Sequence, residues 1–426
     1  MAIAFSVCFA AIATWIALSQ AGTSAKSLSG FSESFSGSNS TVAPTSLPPQ
    51  AVFIDPQSIA VLGTNGSFRE SAISTLNPTN ASPPFFQAFH PNFVTNVLGD
   101  SASIRVVASN SGFAFAHEAP IWNPETDEVF FVSNDGGALG FSDINHNNQV
   151  AKISLGEVAQ AADASGSTIT PLNVTVTALS LPETVQMTNG GTGPFHGQLL
   201  FVDSGRGPRP PNIVLIDPAS PNNTTFLLDN FYGRQFNSLN DIKIHKQTGL
   251  IYFTDSVYGF LNQFRPGPLI QPFVYLFDPV TRRVKVAADG FDKPNGVALS
   301  EDGKTAFVTD TGIINGVFGV NQTEPATVYK FDIDQQTGVF TNRRIFAFAD
   351  SGVPDGIQID TQGNVYSGCG DGVQVWDSTG TLLGKFFLNT TSSNMVFAGK
   401  GRLVIMAETA IYLAEIKASG FDLFFP

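Results

Sequence analysis

The chain has 426 residues and a formal net charge of −13, with 22 Lys and Arg against 35 Asp and Glu. No basic run interrupts this acidity, which argues against a nucleic-acid partner, because phosphate binding needs clustered Lys and Arg. Hydrophobic residues make up 42% and charged residues only 13%, with 40 Gly and 26 Pro. A sizeable core is therefore available, and the balance favours many short strands and turns over long helices.

The chain opens on an apolar run from Ala2 to Leu18, short of the ~20 residues a membrane span needs. Ser19-Gln20-Ala21 follows with small residues at a cleavage-like site, so residues 1–21 are predicted to be a signal peptide, although no Lys or Arg stands at its front. Residues 22–50 are rich in Ser, Thr and Pro and are expected to be a flexible lead-in. The remainder, 51–426, reads as a single repeat domain preceded by an N-terminal arm.

Asn39, Asn65, Asn80, Asn173, Asn222, Asn223, Asn321 and Asn389 each open an N-x-S/T sequon. With the signal peptide they predict a secreted, extracellular glycoprotein, free of the membrane once cleaved. The cysteines are Cys8 and Cys369. Loss of Cys8 with the signal peptide leaves no intramolecular disulfide, and Cys369 in VYSGCG reads as a small core residue.

From Ile104 the chain becomes regular. One sentence of strand, polar turn and strand is written six times. In order the copies are HEAPIWNPETDEVFFVSN from His117, GTGPFHGQLLFVDSG around Phe195, LNDIKIHKQTGLIYFTDS from Leu239, PNGVALSEDGKTAFVTDTG from Pro294, PDGIQIDTQGNVYSGCG from Pro354, and SNMVFAGKGRLVIMAET around Val396. Further β-like runs follow each copy, among them VAKISL, NIVLID, FVYLFD, TVYKFDI, VQVWDS and AIYLAEI. Units of this length with about four strands each predict an all-β fold, a six-bladed β-propeller with four-stranded blades around a central channel. The last unit is one strand short, and IRVVAS (104–109) is expected to complete it.

Four copies open on an oxygen-bearing residue at the same place, namely Glu118, Asn240, Asn295 and Asp355. Singly, Asn or Asp before Gly is a common turn residue. Radially arranged, equivalent positions converge, and two carboxylates with two amide carbonyls make a set for a hard cation. Ca²⁺ takes six to eight oxygens, so water or substrate would complete its shell. Zinc and copper favour His or Cys, which these positions lack. His117 is expected to face away from Glu118, since neighbouring strand residues alternate. Asp241 is expected to orient Asn240 from behind, Asp255 and Asp310 to be blade-turn residues, and His196 and His245 to be exposed.

These residues carry a family resemblance. NFYGRQFNSLNDI (230–242), YFTDSVYGFLNQFRP (252–266), PNGVALSEDGKTAFVTDTG and VYSGCGDGVQVW (365–376) resemble the fungal secreted lactonohydrolases of the gluconolactonase type. The likeness covers nearly the whole mature chain. More distantly the chain is similar to regucalcin and diisopropyl fluorophosphatase, six-bladed propellers with calcium or a similar divalent ion in the channel. The resemblance implies Glu118, Asn240, Asn295 and Asp355 as metal ligands, Ca²⁺ as cofactor, and a small-molecule lactone of the aldono- or related sugar type as substrate.

The implied chemistry is a metal-polarised carbonyl attacked with help from a carboxylate. Asp355 is the expected base or nucleophile, with His117 as the second catalytic candidate. No Gly-x-Ser-x-Gly elbow with Ser–His–Asp order occurs, which argues against a serine lactonase. Two alternatives stand beside this reading: a phosphotriesterase-like hydrolase using the same four ligands, and a non-enzymatic ligand-binding propeller. The loops 135–149, 205–212 and 256–272 are expected to decide which lactone fits.

Overall fold

A computed structural model of the chain describes residues 43–426. The predicted signal peptide, Cys8, Asn39 and most of the predicted lead-in lie outside the described residues.

Alternating apolar runs of two to nine residues, punctuated by Gly and Asp turns, form six blade sheets, antiparallel except at the outer edge of one, where Ala51–Phe53 runs parallel to Phe85–Ala88. Blade 1 begins with Glu118–Asn123, blade 2 with Thr188–Phe195 and blade 3 with Ser238–Ile244. Blade 4 begins with Pro294–Leu299, blade 5 with Ile357–Ile359 and blade 6 with Asn394–Phe397. Each first strand packs against the first strand of the next blade, and that of blade 6 against that of blade 1. The ring therefore closes, and the starts of the six first strands meet at one end of a central channel. This is a six-bladed β-propeller.

Closure uses the predicted strand. Ser103–Ser109 pairs antiparallel with Ala410–Glu415 and supplies the outer strand of blade 6, with Ala414 opposite Ile104. A strand from one end of the chain completing the last blade leaves no open seam in the ring. The N-terminal arm has a further role. Phe85–Ala88 and Ala51–Phe53 add two outer strands to blade 5, with Phe86 fully buried against Phe386. The N-terminal arm is thus part of a blade's sheet.

The core lies between the blades in apolar layers, with Phe, Val and Ile at the inward positions. Cys369 is buried in the layer between blades 4 and 5, as its apolar setting suggested. One element was not expected, the helix Leu155–Ser165. It starts where Ser154 Oγ accepts from the Glu157 N–H at 3.2 Å and ends on Gly166 at φ 62. Both signals were legible as a Ser-x-x-Glu capping pattern and a terminal Gly. The helix displaces blade 1's outer edge, whose fourth strand shrinks to Thr177–Ala178.

His245 corrects an expectation. It is buried, not exposed, because its turn tucks under the next blade, where its Nε2 meets the Gly303 carbonyl at 3.1 Å. His196 is exposed, in the blade 2 hairpin. The chain's last residues cross the propeller face away from the first-strand starts: Phe425 stacks on Phe195 and accepts from the His196 N–H. Among the described residues no helix is long and apolar enough to cross a membrane.

Candidate active site

The Asn189-Gly190 and Asn295-Gly296 pairs lie in strands and Asp355-Gly356 just before one, and the glycine is there for clearance. A Cβ on Gly296 would overlap the Asp355 carbonyl oxygen, and one on Gly190 would overlap that of Asn240. Each blade's glycine thus lets the next blade's key residue come close. Where blade 3 has Asp241 in place of glycine, the carboxylate bridges blades instead. It accepts from the Ile242 N–H at 2.8 Å and the Val297 N–H at 2.9 Å, and pairs with buried Lys243. Asp241 therefore fixes Asn240 relative to blade 4, the orienting position expected of it.

Threonines on the second strands repeat this coupling. Thr254 Oγ1 accepts from the Asp241 N–H and donates to the Asn295 carbonyl at 2.7 Å. Thr309 Oγ1 accepts from the Gly296 N–H at 2.7 Å and donates to the Asp355 carbonyl at 2.9 Å. Asp255 and Asp310, expected to serve blade turns, accept the backbone N–H groups that lead into their own first strands.

Glu118, Asn240, Asn295 and Asp355 all line one cavity of about 420 Å³ at the first-strand end of the channel. Glu118, Asn240 and Asn295 are buried, and Asp355 is half-buried. Glu118 Oε2 accepts from the Ala119 N–H at 3.0 Å and from Asn394 Nδ2 at 2.6 Å. Burial, and then the Asp355 charge, hold the Glu118 carboxyl well above the usual range. Burial also pushes Asp355 up to about 7, with His117 opposing and Glu408 adding to the rise.

His117 lines this same cavity, contrary to the alternation expected of a regular strand. The strand begins only at Glu118, so His117 stands just before it and strand alternation does not bind it; within the strand Ala119 sits at φ 52 and the pairing register shifts between Glu118 and Ile121. The ring is held through Nδ1, 2.7 Å from Glu408 Oε1 and 2.9 Å from Ser393 Oγ. Burial opposes its charge, but the Glu408 carboxylate, with Glu118 and Asp135 behind it, outweighs burial and lifts His117 to about 10. Glu408 is also held by Asn134 Nδ2 at 3.0 Å; burial works to raise it, and His117 overcomes burial to bring it down to about 2.

Several lining residues escaped the sequence reading. Asn189 is the blade 2 member of the ring, and its Nδ2 donates to buried Asp135 at 2.9 Å. Its signal was the Asn-Gly pair in TNGG, hidden because that copy was aligned on Phe195. Glu408 stands in a tight turn at φ 59, and nothing local marks it.

The donors can be tested against a hard cation. Asn240 Oδ1 and Asn295 Oδ1 are both buried without a hydrogen-bond partner, as is Asn189 Oδ1. A buried orphan acceptor costs about 1–3 kcal/mol, so two beside a pair of crowded carboxylates need a positive partner. Oxygen donors without thiolate or imidazole suit Ca²⁺ or Mg²⁺ over zinc. Among the described residues no three His, Cys, Asp or Glu side chains gather as a metal set. A cation held here would need the amide oxygens beside the carboxylates, and the residues present fit one.

Comparison with known proteins adds to this geometry. The family described as SMP-30/Gluconolactonase/LRE-like region matches residues 116–409. The lactonohydrolase oryH of Aspergillus oryzae is 28% identical over 400 residues, covering 76% of this chain and 79% of its own. A gluconolactonase of Zymomonas mobilis is 28% identical over 237 residues, covering 53% of this chain and 62% of its own. Among solved structures, a gluconolactonase from Xanthomonas campestris superposes with a TM-score of 0.59 at 24% identity, over 82% of this chain and all of that one.

Proposed function

Because this chain belongs to the SMP-30/Gluconolactonase/LRE-like family, we propose that it is a lactone hydrolase, opening a cyclic ester to the hydroxy acid. The observation that carries this is one cavity holding Glu118 and Asp355, three orphaned amide oxygens and a His–Glu pair. The printed names of its relatives, lactonohydrolase and gluconolactonase, support the reaction class. The resemblance implies a lactone of the aldono- or related sugar type; the polar side of the cavity suits the ester itself, and the other side decides what the ring carries.

Glu118, Asn240, Asn295 and Asp355 would hold a divalent cation, with Ca²⁺ the proposed ion. When bound, it polarises the ester carbonyl and stabilises negative charge on its oxygen. Asp355 is the proposed base. Its half-buried carboxylate takes a proton from water, whose oxygen adds to the carbonyl carbon. The bond from that carbon to the ring oxygen then breaks. His117, oriented by Glu408 through Nδ1, presents Nε2 to return a proton to the released alkoxide. Direct attack by Asp355 on the carbonyl is the other route, with water cleaving the acyl-enzyme afterwards.

The test is hydrolysis of a lactone panel with a chelator present, then with Ca²⁺ added back. Activity lost to the chelator and restored by Ca²⁺ is the expected result. Turnover of no lactone, together with turnover of a phosphofluoridate, would move the assignment to phosphotriester chemistry.

We also propose that the protein is secreted and glycosylated. The apolar leader supports this, as do Asn65, Asn80, Asn173, Asn222, Asn223, Asn321 and Asn389, all exposed. Protein purified from culture medium should begin near Gly22 and lose mass to a glycosidase. An intact Met1 would overturn the cleavage.

A further inference from the structure

The cavity is two-sided. Asn134, Asp135, Asn189 and Glu408 line one side, whereas Ile73, Ile314, Val317 and Val353 line the other. We infer that the substrate is a lactone bearing an apolar substituent, alkyl or aryl, which lies along this second wall while the ester faces the oxygen donors. The inference rests on the lactonase reading and names its substrate class.

Three observations support it. First, the wall is built, not incidental. Ile73 comes from the N-terminal arm, which crosses to the rim between blades 4 and 5 and is pinned on both sides of it. Arg69 reaches Asp350 at 2.9 Å, the Gly352 N–H donates to the Ala72 carbonyl at 2.7 Å, and the Thr75 hydroxyl donates to Asn389 at 3.0 Å. Yet Ile73 is 54% exposed, so the arm holds an isoleucine in the cavity without burying it. Val317, on the same wall in the blade 4 segment Gly316–Phe318, is 56% exposed.

Second, the apolar strip continues outward. Phe318 and the blade 3 residue Phe260 are both exposed, with ring centroids 6.2 Å apart. A substituent longer than the cavity would still find apolar surface.

Third, the alternatives fit poorly. A polyol side chain against Ile73, Ile314, Val317 and Val353 would give up water for few hydrogen-bond partners, Tyr258, Asn262 and Thr311 being the polar side chains among them, an unfavourable exchange. A bare lactone ring would leave the strip wet. A cavity of about 420 Å³ falls within the ~300–1,000 Å³ of sites that enclose larger small molecules.

The experiment uses the calcium-loaded protein and a series of 5-alkyl-2-pyrrolidinones, from methyl to hexyl, as unreactive analogues of alkyl γ-lactones. Titration calorimetry should show Kd falling ~3–4-fold for each added methylene. Ile73→Asp and Val317→Asp should flatten that slope. Both residues are exposed, so Tm should hold; Val317→Ser provides a milder variant that should reduce the slope in the same direction. In parallel, kcat/KM on the 5-alkyl γ-butyrolactones should rise with chain length and exceed that on glucono-δ-lactone. A Kd independent of chain length, or a slope unchanged in all three variants, overturns the apolar wall even if lactones are hydrolysed. A normal slope without hydrolysis of any lactone supports the wall and sinks the lactonase reading instead.

Discussion

Asp355 and Asn295 share a cavity and one ring position but differ in what they can do. Asp355 is the half-buried carboxylate that faces the cavity, whereas Asn295 offers only a buried amide oxygen. Asp355→Asn keeps an oxygen for a cation and loses the base. Bound metal should largely persist while kcat falls by ~10²–10⁴, the usual weight of general-base catalysis. Asn295→Ala should instead weaken metal affinity and be partly rescued by excess Ca²⁺. Metal content and kcat measured side by side on the best lactone test both. Near-normal turnover in a metal-loaded Asp355→Asn protein would relocate the base. His117 is a poor substitute, because the Glu408 carboxylate holds its ring as a proton donor.

At the scale of elements, what matters is how a blade grips its neighbour. The second-strand threonine is one such grip. Thr309→Val removes the hydroxyl that joins the Gly296 N–H to the Asp355 carbonyl without changing shape much. It should cost ~1–3 kcal/mol in unfolding free energy and weaken metal binding, since the Asp355 backbone is no longer pinned. Unchanged metal affinity would show that the strand holds Asp355 without it.

The second-strand aspartates set a pH dependence. Burial pushes Asp203 up to about 7, against the pull of Thr188 and Gln186. Its unfolded value is ~3.9, so the folded protein binds the extra proton between the two. The contribution to stability is therefore complete below about pH 4 and is lost as pH rises through about 7. Asp203→Asn cannot ionise, so its urea midpoint should fall less between pH 5.5 and pH 8.5 than that of the wild type. An equal fall in both would assign the effect to other groups, of which Asp255, pushed by burial to about 7, is the first.

For the whole molecule the decisive contact is the ring closure between Ser103–Ser109 and Ala410–Glu415. Without it blade 6 ends on an unpaired edge, and buried Ile104 and Val107 no longer cover Ile405 and Met406 in the adjoining layers. A chain starting at residue 111 should be aggregation-prone and lose its cooperative unfolding transition. A chain starting at residue 49 keeps every strand and should unfold like the full protein. Cooperative, soluble behaviour of the shorter chain would show that the ring holds without its clasp.

The sequence by itself determined the propeller, its six units and the identity of the clasp strand. Those features rest on period-two alternation and repeated turn residues, which are local and survive in a string of letters. It also singled out Glu118, Asn240, Asn295 and Asp355, because a repeat makes equivalent positions visible. Only the tertiary structure put His117 in the cavity beside Glu118, since the strand begins at Glu118 and its alternation does not reach His117. Only it brought Glu408, almost three hundred residues on, to that imidazole, and Ile73 of the arm to the cavity rim. Contacts of that kind join residues far apart in the chain, and nothing local in either partner marks them.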